Sequence, residues 1–289
     1  FPEIARKMKT LMETNSSAIP DGTTILACMV AVHGNVDFNT GICLHSTHFP
    51  SWGTFNNLHE QVATTLELGC PIYIDNWIRF KAYGESKLGP AKNYESVVLI
   101  DAGRLGVASG ILQGGKIFPG NHFLSGEIGH ICLNPLDTEP CACGSHGCFE
   151  QQISCERLLD RAKNQVEQHA SSLLGSLDHP IDLTAIFAAA DREDVFARLL
   201  LDDIIKWFSL AISNIIMFYD PEIILIEGDF STGCRYLESE INIHVKKLSL
   251  PRLSQKTTLL FNEEKSANTL KGAAILAVDS FYHTLSVNT

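Results

Sequence analysis

Three cysteines lie within eight residues in the stretch PCACGSHGCFEQ, residues 140–151. Their spacing, Cys141-x-Cys143-x4-Cys148, differs from the C-x-x-C pair of redox proteins, and two intervening glycines permit the tight turns that would bring the thiols together. Zn²⁺ prefers four soft or borderline ligands in a tetrahedron, and a site closed by four protein ligands is structural. The stretch therefore predicts a structural zinc site, and the candidates for its fourth ligand are His130, Cys132 and His146.

The bulk composition indicates an intracellular protein. The chain has 289 residues, nine cysteines and a net charge of −11. An odd number of cysteines in a long chain favours reduced thiols and a cytoplasmic location. The acidic charge argues against nucleic-acid binding by this chain alone, and the sequence shows neither a membrane-spanning stretch nor a signal peptide. Because the chain opens on Phe1 inside a helical pattern, we expect it to be a fragment.

Strands and helices alternate along the sequence. Residues 96–118 read as two strands broken by glycines and predict a hairpin, and PEIILIEG predicts a further buried strand. Residues 194–219 form a long amphipathic pattern, and residues 268–285 predict a closing helix. This alternation, together with the hairpin, predicts an α/β fold with a mixed sheet.

The stretch SGEIGHICLNPLDTEPCACGSHGCFE, residues 125–150, resembles the signature of the ROK family. That family joins bacterial sugar kinases with sugar-responsive transcriptional repressors, and its pattern is G-E-I-G-H, a loop, then C-x-C-G-x-x-G-C-x-E. The resemblance implies a two-lobed actin-like ATPase fold with the sugar in the cleft. It also implies that the Zn²⁺ ligands are His130, Cys141, Cys143 and Cys148.

The same resemblance divides the chain and assigns sugar contacts. It implies a first α/β lobe, truncated at its N-terminus, over residues 1–92 plus 266–289, and a second lobe over residues 93–265 with the zinc motif and a helical oligomerisation region. Carboxylates accept hydrogen bonds from sugar hydroxyls, and a histidine can use one ring nitrogen for metal and the other for sugar. The implied sugar contacts are Asn76, Glu127, His130 and Glu150, with His48 as a weaker candidate.

Several departures from the kinase pattern bear on function. Trp77, in the stretch DNWIR, stands where family kinases place their catalytic aspartate, and indole cannot accept a proton. The phosphate turn reads GRLG, so that Leu105 adds bulk where a close approach is required. In the C-terminal turn, Glu227 and Asp229 replace glycines and would repel a nucleotide. The N-terminal phosphate loop of the kinases is absent from the chain.

These departures favour a sugar-responsive effector-binding and oligomerisation domain of a transcriptional regulator, without catalytic activity. The nearest resemblance is to the glucose- and N-acetylglucosamine-responsive repressors. The expected partners are a sugar or sugar phosphate, a second copy of the chain, and DNA through a missing N-terminal helix-turn-helix domain. The alternatives are an ATP-dependent sugar kinase with an altered active site and a module that docks a regulatory protein.

Overall fold

The computed structural model describes residues 2–15, 22–46, 56–67, 69–263 and 268–287, and the chain divides into two compact units. The first unit comprises Phe1–Lys92, Ile117–Ser125 and Ser266–Thr289. The second comprises Asn93–Lys116 and Gly126–Lys265. Both units combine helices with strands, which confirms the predicted α/β class. The candidate sugar contact His48 lies outside the described residues.

The first unit carries a parallel strand pair, β1 with β5, and a separate antiparallel sheet of β2, β3 and β4. Buried valines, leucines and isoleucines from β1, β2, β5 and α2 form its core, because alternate strand residues point to the same face. Its strands are β1 (Cys28–Val32), β2 (Asn35–Asp37), β3 (Ile42–His45), β4 (Asn56–Asn57) and β5 (Ile72–Asn76), and its helices are α1 (Pro2–Thr14), α2 (Leu58–Leu66), α3 (Trp77–Leu88) and α10 (Asn268–Val287).

Helices α3 and α10 approach closely because glycine stands on each. A Cβ atom at Gly84 would overlap the backbone carbonyl of Asn268, and one at Gly272 would overlap the carbonyl of Phe80. Inside this contact the Asn268 side-chain amide donates to Glu85 at 3.0 Å. The predicted closing helix is therefore confirmed, and it completes the first unit by packing on α3.

The second unit is built on a five-stranded mixed sheet of order β10-β9-β6-β7-β8. Strands β10, β9 and β6 run parallel, while β6 and β7 form the predicted antiparallel hairpin. All five residues of β9 are buried, as expected for a central parallel strand covered on both faces. The strands are β6 (Val97–Gly103), β7 (Gly106–Gln113), β8 (Lys116–Ile117), β9 (Ile223–Glu227) and β10 (Thr258–Phe261).

Helix α7 is the central helix of the second unit. The side chain of its N-cap, Asp194, accepts a hydrogen bond from the Ala197 N–H at 2.8 Å. Thirteen of its 25 residues are buried, among them Phe208, whose ring meets Phe149 edge-on at 5.3 Å. The helices of this unit are α4 (Phe149–Gln152), α5 (Cys155–Gln165), α6 (Leu183–Asp191), α7 (Val195–Tyr219), α8 (Arg235–Leu248) and α9 (Pro251–Ser254).

Among the described residues, no helix combines the length and the apolar character that crossing a bilayer requires.

Candidate metal centre

The GEIGH segment lies against strand β7. A Cβ at Gly129 would meet the carbonyl oxygen of Val107 at 2.6 Å, so only glycine allows this approach. Gly126 has φ +91°, and its carbonyl accepts a hydrogen bond from the Ser109 hydroxyl at 2.8 Å. The following residues form a 3-10 turn, Ile128–His130. The two glycines thus fix where the imidazole of His130 stands.

Four side chains converge beside this turn. The ligating atoms of His130, Cys141, Cys143 and Cys148 all lie within 4.8 Å of one another. The Cys143 and Cys148 sulfurs are 3.7 Å apart, and His130 Nδ1 is 3.6 Å from the Cys141 sulfur. Tetrahedral Zn²⁺, with Zn–S of about 2.3 Å and Zn–N of about 2.0 Å, requires separations of about 3.8 Å between sulfurs and about 3.5 Å between nitrogen and sulfur. Both measured separations fit this geometry.

The backbone of the cysteine loop explains its glycines. Gly144 and Gly147 have φ of +87° and +67°, in the region that side chains disfavour. The turn closes when the Gly144 N–H donates to the Cys141 carbonyl at 2.9 Å. A Cβ at Gly147 would also overlap the backbone of Asn134. Local sequence therefore folds the loop so that its three thiols converge, with Cys141 and Cys148 buried and Cys143 exposed.

The two other candidates for the fourth ligand do not join this group. Within the described residues, the metal-ligating cluster comprises His130 and three cysteines, and neither Cys132 nor His146 belongs to it. Both are exposed. The geometry therefore favours His130, the residue that the family resemblance assigns.

His130 presents its two ring nitrogens to different neighbours. Nδ1 faces the Cys141 sulfur and lies 3.5 Å from Glu150 Oε1, whereas Nε2 lies 3.9 Å from Glu127 Oε2. Glu150 is also hydrogen-bonded by the Cys141 thiol at 3.1 Å. The Glu127 side chain is 39% exposed and that of Glu150 is 13% exposed. Three of the predicted sugar contacts are thus neighbours, with a carboxylate on each side of the imidazole.

Burial makes the metal-free thiols weak acids. It raises the pKa of Cys141, and it raises the pKa of Cys148 to about 11. A metal ion binds thiolates, so binding releases protons from both residues. Three thiolates and an imidazole are the donor set that zinc prefers, and four protein ligands leave no position open for a substrate.

A polar network fastens the loop between the GEIGH turn and the cysteines. The Asp137 carboxylate accepts hydrogen bonds from Arg157 at 2.7 Å and from Gln152 at 2.5 Å. Asn134 in turn donates to Gln152 at 3.0 Å. We call Asp137, Gln152 and Arg157 the loop latch. Sequence reasoning missed it, because its members come from the loop, α4 and α5, and no local pattern marks their pairing.

The loop latch is expected to contribute stability that depends on pH. Hydrogen bonds from Arg157 and Gln152 hold the pKa of Asp137 well below the ordinary aspartate value of 3.8. The contribution is therefore complete above that value and is lost as the pH falls towards the lower folded-state pKa. Thermal unfolding with chelator present should show Asp137→Asn less stable than the unsubstituted protein at neutral pH. The gap should close as acid is added, and a gap independent of pH would contradict the assignment.

Asn76 and Trp77 lie in the first unit, where β5 meets α3. The Asn76 side chain caps the helix by accepting from the Ile78 N–H at 3.3 Å. Trp77 is partly buried, and its ring lies 5.1 Å from that of His33. Asp75, the nearest carboxylate in sequence, is 3% exposed and forms an ion pair of 2.8 Å with Arg79. Asp75 Oδ1 accepts hydrogen bonds from Arg79 and from the Asn76 N–H. Burial raises the pKa of this carboxyl, and the Arg79 ion pair opposes the rise.

In the second unit, the turn between β6 and β7 already has an anion beside it. The Arg104 N–H donates to the Asp229 carboxylate at 2.8 Å. Glu227, two residues before Asp229, is 3% exposed and accepts from the Asn262 amide at 2.7 Å. Leu105, at the tip, is 76% exposed. A backbone donor of the kind that binds phosphate is thus used internally.

The mixed sheet of the second unit belongs to an actin-like fold, which the chain shares with solved ROK sugar kinases. The ROK family model matches residues 6–280, so the chain belongs to the ROK family.

Two curated relatives represent the two kinds of ROK protein. A glucokinase of Halalkalibacterium halodurans is 33% identical over 225 residues, which cover 76% of this chain and 66% of that enzyme. The DNA-binding transcriptional repressor Mlc of Escherichia coli is 25% identical over 256 residues, which cover 88% of this chain and 61% of the repressor. The chain therefore spans under two thirds of either relative's length.

Solved structures similar to this chain also include both a transcriptional regulator and a sugar kinase. A ROK family transcriptional regulator, a homologue of the E. coli Mlc protein, aligns with a TM-score of 0.79 at 25% identity, covering 96% of this chain and 68% of its own. A ROK glucokinase from Streptomyces griseus, in complex with glucose and AMPPNP, aligns with a TM-score of 0.69 at 24% identity, covering 95% of this chain and 88% of its own. The second likeness is one of fold.

Proposed function

We propose that the chain is the sugar-responsive effector-binding domain of a ROK transcriptional regulator, and that it binds its sugar without phosphorylating it. The observation that carries this proposal is the Asp229 carboxylate at the β6–β7 turn, which accepts the Arg104 N–H at 2.8 Å. A triphosphate brought to the same turn would meet a fixed negative charge and would have to displace it. At 4 Å, two like unit charges repel by about 4 kcal/mol at an effective dielectric of 20.

We further propose that His130, Cys141, Cys143 and Cys148 hold a structural Zn²⁺. Two separations between their ligating atoms, His130–Cys141 and Cys143–Cys148, support it, because they match a tetrahedral site. The ion would tie the GEIGH turn to the cysteine loop. It would supply no reaction chemistry, because four protein ligands fill its coordination.

The sugar contacts proposed in the second unit are Glu127, His130 and Glu150. Carboxylates accept hydrogen bonds from sugar hydroxyls, and His130 Nε2 faces Glu127 rather than the cysteines. With Nδ1 on the metal, Nε2 carries the proton and can donate to a hydroxyl oxygen. Asn76, in the first unit, is proposed from its family position. The predicted homodimer, the DNA-binding head and the docking of a regulatory protein stay predictions.

Calorimetry with glucose, N-acetylglucosamine and their 6-phosphates tests the sugar site. We expect one of these ligands to bind, and Glu127→Gln and Glu150→Gln each to weaken it about tenfold. A hydrogen bond to a charged group contributes about 1.5–3 kcal/mol, and about 1.4 kcal/mol is a factor of ten in Kd. Glu167→Gln is the matched control, since Glu167 is an exposed glutamate away from the centre. Unchanged affinity in both site variants would refute the assignment.

The second candidate function is an ATP-dependent sugar kinase. The identity of 33% to a named glucokinase, higher than the 25% to Mlc, favours it. A coupled assay with the same sugars and ATP separates the two candidates. Turnover at about 1 s⁻¹, the low end for kinases, would establish the kinase and overturn the sensor. Sugar binding without turnover and without nucleotide binding would establish the sensor.

A further inference from the structure

Cys132 lies beside the candidate metal centre without belonging to its four ligands. Its side chain is exposed, whereas Cys148 is buried. An exposed thiol is open to small oxidants in solution, and susceptibility to oxidation follows exposure. The neighbourhood therefore contains a cysteine that reagents can reach and another that the metal centre requires.

The two cysteines face each other directly. Cys132 and Cys148 form an antiparallel bridge between the GEIGH side and the cysteine-loop side of the centre. No ladder bond joins the pair itself, because the backbone hydrogen bonds belong to the flanking residues. Two of these, each of 2.9 Å, run from Leu133 N–H to Gly147 O and from Phe149 N–H to Ile131 O.

This arrangement is a non-hydrogen-bonded antiparallel pair, the type in which opposite side chains come closest. Its Cα atoms are about 4.5 Å apart and its side chains share a face. A disulfide requires Cα atoms about 4.4–6.8 Å apart. The Cys132 sulfur also lies against the opposite segment, since a Cβ at Gly147 would meet it at 3.2 Å. A rotation of the side chains is then enough to join the two sulfurs.

We propose that Cys132 is an oxidation site for hydroperoxides, and that the oxidised form is a Cys132–Cys148 disulfide. The Cys132 sulfur attacks the peroxide O–O bond and gives a sulfenic acid and, from hydrogen peroxide, water. The Cys148 sulfur then attacks the sulfenic sulfur, and a second water leaves. The two thiols lose two electrons and two hydrogens, and the peroxide is reduced to water.

The predicted release of metal rests on the proposed metal centre, whereas formation of the disulfide does not. Once Cys148 is in a disulfide, His130, Cys141 and Cys143 remain, and a structural zinc site requires four ligands. Oxidation therefore releases the metal. Cys148 immediately precedes α4, which carries Glu150, so the same event also loosens the proposed sugar site.

The experiment exposes the protein as purified to hydrogen peroxide and follows two readouts. Released metal is measured with a colorimetric chelator, and disulfides are mapped by peptide mass spectrometry. We expect the Cys132–Cys148 peptide and stoichiometric metal release in the unsubstituted protein. Cys132→Ser should release metal several-fold more slowly. Cys70→Ser, which removes a partly buried thiol of the first unit, should behave as the unsubstituted protein.

Two results overturn the proposal. One is a Cys143–Cys148 disulfide as the main product, which their sulfur separation of 3.7 Å makes the direct competitor. The other is equal metal release in Cys132→Ser. The two proposals fail separately: if the purified protein binds no metal but still forms the Cys132–Cys148 disulfide, the oxidation site stands, and the missing metal alone contradicts the centre.

Discussion

Cys148→Ser is expected to abolish stoichiometric metal binding and to destabilise the second unit by several kcal/mol. Structural zinc couples to folding, and its apparent binding free energy reaches about 10–16 kcal/mol in zinc-finger peptides. This unit has its own apolar core, so its loss should be smaller than in a finger that has none. Metal analysis should find about one ion per chain in the unsubstituted protein and none in the variant.

Thermal unfolding with and without chelator isolates the metal's contribution. Chelator should lower the Tm of the unsubstituted protein and leave that of Cys148→Ser in place. Cys148 is fully buried, so the hydroxyl of the variant carries a cost of its own, and that cost is the gap remaining when both proteins are metal-free. Cys70→Ser, in the first unit, is the matched control. If removal of the metal is verified and the Tm does not change, the structural role proposed for the metal is contradicted.

Phe149→Ala is expected to cost about 3–5 kcal/mol of unfolding free energy, the usual range for a large aromatic removed from a core. Phe149 is 0% exposed and meets Phe208 of α7 at 5.3 Å. Phe149 also follows Cys148 and precedes Glu150 in the chain, so its ring anchors the end of the cysteine loop to α7. Denaturant unfolding measures the loss. Leu136→Ala, in the loop between the GEIGH turn and the cysteines, should change stability little because Leu136 is 88% exposed.

Measuring both stability and metal affinity separates two roles of the Phe149 ring, filling the core and anchoring the cysteine loop. If the ring only fills the core, Phe149→Ala lowers stability while metal affinity is kept. If it anchors the loop, metal affinity falls as well, and Phe149→Leu restores most of both because leucine refills much of the cavity. A stability loss below about 1 kcal/mol would contradict the packing described here.

Features carried by near neighbours in sequence were open to prediction. The ligands His130 and Cys148 lie within one short loop, and the β6–β7 hairpin is marked by the glycines at positions 103 and 106. Residue type and spacing alone therefore located the candidate metal centre. The choice of His130 over Cys132 needed the family resemblance first and the geometry afterwards.

Features made by distant pairings were not open to prediction. Asp229 reaches Arg104 across 125 positions, and the loop latch joins Asp137 to Arg157 across 20. Neither partner's type demands the other, because an arginine or an N–H can pair with any nearby carboxylate. Cys132 lies opposite Cys148 because of the register between their two segments. Sequence specifies register where alternating apolar residues bury one face, and these short segments lack such a pattern.

The close packing of α3 against α10 sets an order of assembly during synthesis. At about 5–20 residues per second, the ribosome delivers α10 roughly 10–40 s after α3, and in the interval it completes residues 126–265 of the second unit. The second unit can then fold while the first still lacks a helix. During that time the surface of α3 around Gly84, which α10 later covers, is exposed. A nascent chain stalled before α10 should therefore show a protease-resistant second unit and a protease-sensitive first.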